Sequence, residues 1–195
     1  MILKKLLNLQ ALKSIKEFKD KHKEVFDIAI YGSVVRGKID FNDIDFAIIF
    51  SSKMKEDEKL SLSQELKSIL KKSLNFELDI KGVDIFDLLD NSFLARKAII
   101  AEGFLIIKNE FLHSLFGFDN YSIFSYSLKN LNNSRKVMFQ YALRGRRGEE
   151  GLIALNNATL LGKGVLKVPL EHTQEFEEFF ENNKIDYKIK HGLYY

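Results

Sequence analysis

The sequence predicts a protein of the α/β (α+β) class, with a mixed β-sheet flanked by helices and a smaller C-terminal α+β module. Two patterns indicate this class. Helical and extended segments alternate along the first 110 residues, and a different mixture of short strands, helices and glycine turns follows. The composition suits a packed core, since 46% of the 195 residues are hydrophobic. We therefore predict two domains, residues 1–110 and 111–195, although no proline- or glycine-rich linker marks the boundary.

Hydrophobic periodicity predicts the elements of the first domain. Apolar residues recur at helical spacing between lysines in two segments, and strand-like runs are short and bounded by turn residues. The strand at 44–50 is almost wholly apolar, which indicates burial on both faces, whereas the strand at 76–80 alternates as a half-buried strand does. The predicted helices are 3–24 (as one or two helices), 56–73 and 85–101, and the predicted strands are 26–31, 44–50, 76–80 and 104–107.

The second domain is predicted to mix helices and strands in a different order. A helix with basic residues on its polar side is expected at 128–143, and an acidic helix at 174–182. Strands are expected at 165–169 and 185–190, and glycine-rich turns at 145–151 and 162–164. These elements indicate a small α+β module.

Composition excludes several classes of protein. The sequence has no cysteine, so a disulfide framework and a thiolate metal site are both impossible, and the four histidines lack metal-ligand spacing. Lys4 and Lys5 interrupt the apolar first ten residues, whereas a membrane span or a secretory signal peptide needs a longer apolar run. We therefore expect a cytoplasmic protein with no membrane contact. The formal net charge of +3 neither requires nor excludes a nucleic-acid partner.

Asp43 and Asp45 are the strongest candidates for a catalytic site. They are two residues apart at the start of a predicted strand, so their side chains leave the same face, with Cα atoms about 6.6 Å apart. Two carboxylates at about 4 Å repel by about 4 kcal/mol at an effective dielectric constant near 20. A divalent cation relieves this repulsion, and oxygen ligands favour Mg²⁺ over zinc. Turn formation is the plainer explanation for Asp43, but Asp45 lies inside the apolar strand.

The turn before these carboxylates carries candidates for phosphate binding. Gly32 and Ser33 follow the predicted strand 26–31 and are expected to lead into a short helical segment. Glycine lets a phosphate approach the backbone closely, and serine adds a hydroxyl donor to the amide groups. Arg36 and Lys38 follow within reach of phosphate oxygens. An ordinary turn with a capping serine, and a surface salt bridge of Arg36, are the alternatives.

The pattern Gly-Ser, nine intervening residues and Asp-x-Asp, at positions 32–45, resembles the signature of the polymerase-β-type nucleotidyltransferase superfamily. The Arg36-Gly37 pair inside the gap is similar to the small MNT-type members that are often encoded beside HEPN toxins. The resemblance covers about residues 1–110. Asn42, where many members carry serine, departs from the pattern without harm to metal binding.

The resemblance implies a third carboxylate on a neighbouring strand, and Asp79 is the best match because it lies on the alternating strand after a helix of suitable length. Glu77 lies on the same face of the strand as Asp79. Asp84 is a weaker candidate, because it is better explained as the cap of the helix that starts at residue 85. The Ala-Glu-Gly-Phe segment at 101–104 also resembles the end of the family's domain. A solvent-facing strand position is the alternative for Asp79.

The resemblance also implies a reaction. A nucleoside monophosphate, expected to be AMP, passes from an NTP such as ATP to a hydroxyl acceptor, and pyrophosphate leaves. Gly32 and Ser33 would bind the triphosphate. Asp43, Asp45 and Asp79 would bind two Mg²⁺ ions, or Mn²⁺ as a substitute, and Asp79 would help to deprotonate the acceptor. That acceptor is a nucleic-acid 3′ end or a side chain of a partner protein. The alternative function is an antitoxin-like protein that binds and neutralises a partner on the same fold with little catalysis.

A basic segment in the second domain is the candidate for nucleic-acid contact. No acidic residue occurs between positions 119 and 149, and aromatic residues alternate with the cations there. Such a segment can follow a phosphate backbone, or it can be one solvated helix face and a loop. The residues that we assign to possible nucleic-acid contact are Arg135, Lys136, Arg144, Arg146 and Arg147.

Overall fold

The computed structural model describes residues 6–195, so the part of the first predicted helix on residues 3–5 lies outside the described residues. The chain forms two compact units that divide between Phe118 and Asp119, where the sequence indicated a boundary after residue 110. Each unit has its own sheet and its own hydrophobic core. Within residues 6–195, no helix combines the length and the apolar character that crossing a membrane requires.

A five-stranded sheet forms the centre of the first unit. Its elements are α1 (Leu9–Lys21), β1 (Val25–Tyr31), β2 (Asp43–Phe50), α2 (Glu56–Leu70), β3 (Glu77–Val83), α3 (Ile85–Leu89), α4 (Arg96–Glu102), β4 (Phe104–Leu105), β5 (Glu110–Phe111) and a 3₁₀ turn (His113–Phe116). The strand order is β3-β2-β1-β4-β5. β2 and β3 are parallel and the other pairs are antiparallel, which confirms the predicted mixed sheet flanked by helices.

Helices cover both faces of this sheet. Ala47 of β2 belongs to a core on one face that includes Ile99 of α4. α2 lies against the other face at Gly82, where an added Cβ would be 2.7 Å from the Cβ of Lys59. Because side chains alternate along a strand, Asp45 projects from the same face as Ala47. The acidic residues therefore lie at the end of the face that α3 and α4 cover.

The prediction of one continuous helix at 85–101 is wrong, because the structure has two short helices there, α3 and α4. Asp84 caps α3, as the sequence suggested, and its side chain accepts hydrogen bonds from the N–H groups of Phe86 and Asp87. After α3, the Asp90 side chain accepts a 2.8 Å hydrogen bond from the N–H of Ser92. Such local bonds offer the backbone an alternative to the helix, which explains the break.

A buried ion cluster joins α2 to α3. The Lys59 ammonium, only 5% exposed, lies 3.0 Å from Asp84 and 2.6 Å from Asp87. Burial disfavours the charged lysine, but its bonds to Asp87, Glu56 and Asp84 prevail and raise the pKa of Lys59. This cluster fixes the end of β3 against both helices.

A buried carboxylate that the sequence did not indicate lies at an irregularity in the pairing of β1 with β2. Asp27 is fully buried beside a register shift between β1 and β2. Its side chain accepts hydrogen bonds from the N–H groups of Ile28, Ile107 and Lys108 at 2.7, 3.0 and 3.0 Å. These bonds fix the chain after β4 in a turn, so the strand predicted at 104–107 ends at Leu105. Burial raises the pKa of Asp27 despite these three backbone donors.

A four-stranded antiparallel sheet forms the centre of the second unit. The elements are β6 (Asp119–Ser127), α5 (Asn133–Arg144), β7 (Gly145–Arg146), β8 (Glu149–Glu150), α6 (Leu152–Leu155), β9 (Thr159–Gly162), β10 (Val165–Pro169), a 3₁₀ turn (Leu170–His172), α7 (Thr173–Asn182) and β11 (Asp186–Tyr194). The strand order is β11-β6-β10-β9. The core of the unit is rich in phenylalanine, including Phe124, Phe176 and Phe180.

The second unit departs from the sequence prediction at several elements. The glycine-rich turn expected at 145–151 contains the short strands β7 and β8, and the short helix α6 follows it. β6 and β9 were not predicted, because the phenylalanine-rich segment before residue 125 and the short run at 159–162 show no clear alternation. The helix predicted at 128–143 begins only at Asn133, because the side chain of Asn132 accepts a 2.9 Å hydrogen bond from the N–H of Arg135 and caps it.

Candidate active site

The turn after β1 begins with Gly32 in a left-handed conformation, with φ of +85°. The Gly32 carbonyl accepts hydrogen bonds from the N–H groups of Val35 and Arg36, and the Ser33 carbonyl accepts one from Lys38. The segment is a series of hydrogen-bonded turns and not the short helix that the sequence indicated. Ser33 is half-buried and Lys38 is exposed on this turn.

The Gly32 backbone lies directly against the carboxylate of Asp45. A Cβ at position 32 would be 2.5 Å from Oδ2 of Asp45, closer than any real side chain permits. The register explains this contact, because Tyr31 is paired with Asp45 across the antiparallel β1–β2 ladder. Glycine is therefore favoured at position 32 by its backbone conformation, and a larger residue would also require the Asp45 carboxylate to move.

Strand pairing brings the predicted carboxylates together. Asp45 is in register with Asp79 across the parallel β2–β3 pair, and Asp43 is in register with Glu77. Neighbouring strands lie about 4.8 Å apart, so these side chains are neighbours on one face of the sheet. Asp43 is exposed, whereas Asp45 and Asp79 are partly buried. Two consecutive strands thus present a group of acids beside the Gly32 turn.

The electrostatics of this group favour a cation. Burial raises the pKa of Asp45 above its usual range, and the charges of Asp43 and Asp79 raise it further, while Lys81 and Arg36 lower it. Burial also raises the pKa of the Tyr31 hydroxyl, with the charges of Asp45 and Asp79 as additional causes. Like charges held together in this way are stabilised by a bound cation.

The donor set fits a hard divalent cation, because all the candidate ligands are carboxylate oxygens. In the conformation of residues 6–195, however, no three carboxylate or imidazole side chains are arranged to hold an ion. The carboxylate of Asp79 is paired with the ammonium of Lys81 on the same strand. Ligation by Asp43, Asp45 and Asp79 together therefore stays a prediction, and it requires Lys81 to leave Asp79.

Arg36 is held by an ion pair. Its Nη1 lies 2.7 Å from Oε2 of Glu102, whose side chain is 8% exposed at the end of α4. The surface salt bridge that the sequence left open as an alternative is thus present, with a buried partner. A guanidinium carries five N–H donors, so one bond to Glu102 leaves it able to donate to a phosphate. Phosphate binding by Arg36 stays a prediction.

Sequence reasoning missed the roles of Lys81, Glu102 and Tyr31 around the carboxylates. For Lys81 a signal existed, since it follows Asp79 by two residues on an alternating strand and so shares its face. Glu102 belonged to the recognised Glu-Gly pair, but its link to Arg36 spans 66 residues and leaves no local pattern. Tyr31 looked like an ordinary apolar strand end.

The five basic residues of the second unit do not form one cluster. Arg135 and Lys136 begin α5, and Arg144 ends it about 13.5 Å away at 1.5 Å per residue. Arg146 and Arg147 belong to the tight β7–β8 hairpin, in which Arg146 is paired with Glu149. Nucleic-acid contact by these residues stays a prediction.

The hairpin places a cation on an aromatic ring. The guanidinium of Arg146 lies 4.3 Å from the centre of the Tyr141 ring, and Tyr141 is 40% exposed on α5. Both groups face solvent in the described chain. Exposed arginine–aromatic pairs of this kind can stack on bases or bind anionic groups.

Comparison with known proteins agrees with the first unit's architecture. The family model described as Polymerase beta, Nucleotidyltransferase matches residues 13–111. The crystal structure of the toxin–antitoxin MntA-HepT is similar to this chain at 21% sequence identity and a TM-score of 0.32, covering 49% of this chain and 67% of that chain. A similarity of that size adds nothing to the functional argument. Among curated proteins, none matches this chain.

Proposed function

Because the chain belongs to the polymerase beta nucleotidyltransferase family, we propose that it transfers a nucleoside monophosphate from an NTP to a hydroxyl acceptor and releases pyrophosphate. ATP is the NTP that we propose. The observation that carries the proposal is the close approach of the Gly32 backbone to the Asp45 carboxylate, beside Asp79 on the next strand. The turn that we propose to bind the phosphates and the acids that we propose to bind the cations are therefore neighbours.

The turn residues have the task of holding the triphosphate. The glycine at 32 lets phosphate oxygens approach the backbone, and the Ser33 hydroxyl adds a donor. The guanidinium of Arg36 is oriented by Glu102, which reduces the entropy lost when it binds an anion. Lys38 is exposed at the rim, where its ammonium is suited to the distal phosphates.

The carboxylates have two tasks. Asp43, Asp45 and Asp79 are the ligands that we propose for Mg²⁺, with two ions as the expected number and Mn²⁺ as a substitute. When bound, such ions neutralise the charge that develops on the phosphates as pyrophosphate leaves. Asp79 also accepts the proton of the acceptor hydroxyl. A bond forms from that oxygen to the α-phosphorus, and the bond from the α-phosphorus to the pyrophosphate oxygen breaks.

A direct assay tests this function. The full chain is incubated with Mg²⁺ and each α-labelled NTP, and pyrophosphate release and label on RNA and protein acceptors are measured. We expect the variant Asp43→Ala/Asp45→Ala to lose transfer. As a control, Glu17→Gln alters an exposed carboxylate of α1 that pairs with Lys13, and this variant should keep transfer activity. Unchanged transfer by the double variant would show that the site is elsewhere.

The acceptor that we propose first is a nucleic-acid end, and the exposed Arg146–Tyr141 pair supports it. Arg146→Ala/Arg147→Ala should weaken labelling of RNA and leave ATP binding unchanged, since these two residues are not among those that we propose to bind the phosphates of ATP. Lys163→Ala is the matched control, because Lys163 is an exposed cation in the β9–β10 turn of the same unit. Equal labelling by all three proteins would favour a protein acceptor.

A binding protein with little catalysis is the second candidate, and an exposed apolar surface favours it. Four large apolar side chains of α3 and the following loop are exposed: Ile85 (48%), Phe86 (55%), Leu89 (70%) and Leu94 (90%). Apolar surface of this kind suits a protein partner. If this is the main function, a protein that co-purifies with the chain should be lost with Leu89→Glu/Leu94→Glu and kept with Asp43→Ala.

A further inference from the structure

Lys81 is a basic residue in direct contact with one of the proposed metal ligands. It follows Asp79 by two positions on β3, so both side chains project from the same face. Its ammonium contacts Oδ2 of Asp79. The residue in register with Lys81 on β2 is Ala47, whose methyl group is too small to block the path of the lysine side chain along the sheet. The lysine stem can therefore lie along the sheet and direct its charge back to the acids.

The charge balance of the site gives Lys81 a specific task. Asp43, Asp45 and Asp79 supply three negative charges, and Lys81 and Arg36 are the cations that act on Asp45. In the absence of a divalent cation, the like charges of the three acids repel one another. The ammonium on Asp79 offsets part of that repulsion, so it stabilises the protein before any substrate binds.

The two cations differ in how readily they can move. Arg36 is bonded to Glu102, which is 8% exposed and therefore anchored in the unit. The side chain of Lys81 is 37% exposed and ends in an ammonium on a flexible four-carbon stem. Withdrawal of Lys81 into solvent is therefore inexpensive, whereas withdrawal of Arg36 would leave a buried carboxylate without its partner.

We propose that Lys81 is a built-in counter-ion that competes with the divalent cation for Asp79. This inference rests on the function proposed above. It means that the nucleotide-free protein holds a divalent cation weakly, because one of its ligands is already paired. Mg²⁺ commonly binds through one or two carboxylates together with substrate phosphates. An arriving Mg–NTP supplies those phosphates and also offers the displaced ammonium an anionic partner.

The experiment measures Mn²⁺ binding to the full chain without nucleotide, from the electron paramagnetic resonance signal of free Mn²⁺. Lys81→Met should bind Mn²⁺ about 2- to 5-fold more tightly than the original protein, the range expected when one partly exposed ion pair stops competing. Lys81→Arg keeps the charge and should stay near the original affinity.

Lys21→Met is the matched control. It removes an equal charge from another lysine–carboxylate pair of the same unit, Lys21 with Glu65 at 2.8 Å, and should not change Mn²⁺ affinity. Unchanged or weaker binding in Lys81→Met would overturn the inference, and so would an equal gain in Lys21→Met. Lys81→Gln provides a second neutral variant, and circular dichroism checks that each variant is folded.

A separate variant distinguishes failure of the inference from failure of the proposed function. Asp45→Asn should lose Mn²⁺ binding if the acids are the metal site. If Asp45→Asn binds Mn²⁺ as the original protein does, the proposed metal site is wrong. If Asp45→Asn loses binding but Lys81→Met gains none, the metal site stands and the competition by Lys81 is wrong.

Discussion

Asp84 and Asp45 are acids of the same unit in opposite surroundings. Asp84 is 1% exposed and accepts hydrogen bonds from backbone N–H groups at 2.8–3.2 Å, with the Lys59 ammonium at 3.0 Å. Burial by itself would raise the pKa of Asp84, but these donors prevail and lower it. The charge of Asp84 is therefore part of what holds α2 and α3 to the sheet.

Asp45 has other acids as its neighbours. Burial raises its pKa most, and the carboxylates of Asp43 and Asp79 raise it further. Asp84 is surrounded by donors and its charge stabilises the fold, whereas Asp45 has acids nearby whose repulsion Lys81 and Arg36 offset only in part. Burial acts in the same direction on both acids, so the donors around Asp84 and the carboxylates near Asp45 account for the opposite signs of their pKa shifts.

The largest expected effect is on transfer activity. Asp45→Asn should lower the transfer rate by about 10³-fold, because losing a ligand that organises transition-state charge costs about 4 kcal/mol. The same variant, free of metal, should be more stable than the original protein at neutral pH, since it removes a repelled charge. Rate assays and urea unfolding check the two results. A metal-free variant that is less stable would contradict the comparison with Asp84.

The second largest effect is on stability. Lys59→Met should lower the free energy of unfolding by about 3 kcal/mol, because it leaves the buried carboxylate of Asp84 without its ammonium partner. Urea unfolding measures this change. Lys71→Met is the control, since the Lys71–Glu77 pair is exposed at 46% and 73% and should contribute less than about 1 kcal/mol. Equal losses would mean that Asp84 gains nothing from its partner.

The contact between Gly32 and Asp45 is tested by a pair of glycine variants. Gly32→Ala places a Cβ in a left-handed conformation, which costs about 1–2 kcal/mol, and also against the Asp45 carboxylate. Gly117→Ala has a similar φ of +75° but meets nothing within 4 Å. We expect both to lower stability and only Gly32→Ala to lower NTP affinity. Equal NTP affinity in the two variants would show that the Gly32 turn does not bind the phosphates of the NTP.

The pH dependence of stability should have opposite signs at the two acids. The folded pKa of Asp45 is raised, so its favourable contribution is present below its unfolded pKa and is lost as pH rises through the folded pKa. The folded pKa of Asp84 is lowered, so its contribution is present above the unfolded pKa and is lost as pH falls through the folded pKa.

Urea unfolding of the metal-free variants between about pH 4 and pH 7 measures this difference in sign. The advantage of Asp45→Asn over the original protein should grow as pH rises across that range. The deficit of Asp84→Asn should be nearly constant there and should shrink only at lower pH. Parallel curves for the two variants would remove the distinction between the acids.

The fold of the first unit was largely predictable because its patterns are local. The almost wholly apolar strand predicted at 44–50 and the helix α2 have the periods of a buried strand and an amphipathic helix. The prediction failed where polar side chains bonded to nearby backbone, as Asp90 and Asn132 do. It also failed at β6, whose buried face carries the polar residues Asn120 and Ser122 beside Phe124.

The acids and the turn of the candidate site could be identified from the sequence alone. Period-two spacing places Asp43 and Asp45 on one face, and the Gly-Ser pair marks the end of β1. The sequence also determined the family, because the signature lies within one continuous segment. These features depend on residues close together in the chain, so they are visible without any coordinates.

Only the tertiary structure decided what surrounds those acids. The register of β2 with β3 places Asp79 beside Asp45, and the packing of α4 brings Glu102 to Arg36. Strand register and helix packing join residues far apart in the chain, and electrostatic energy depends on the distances that result.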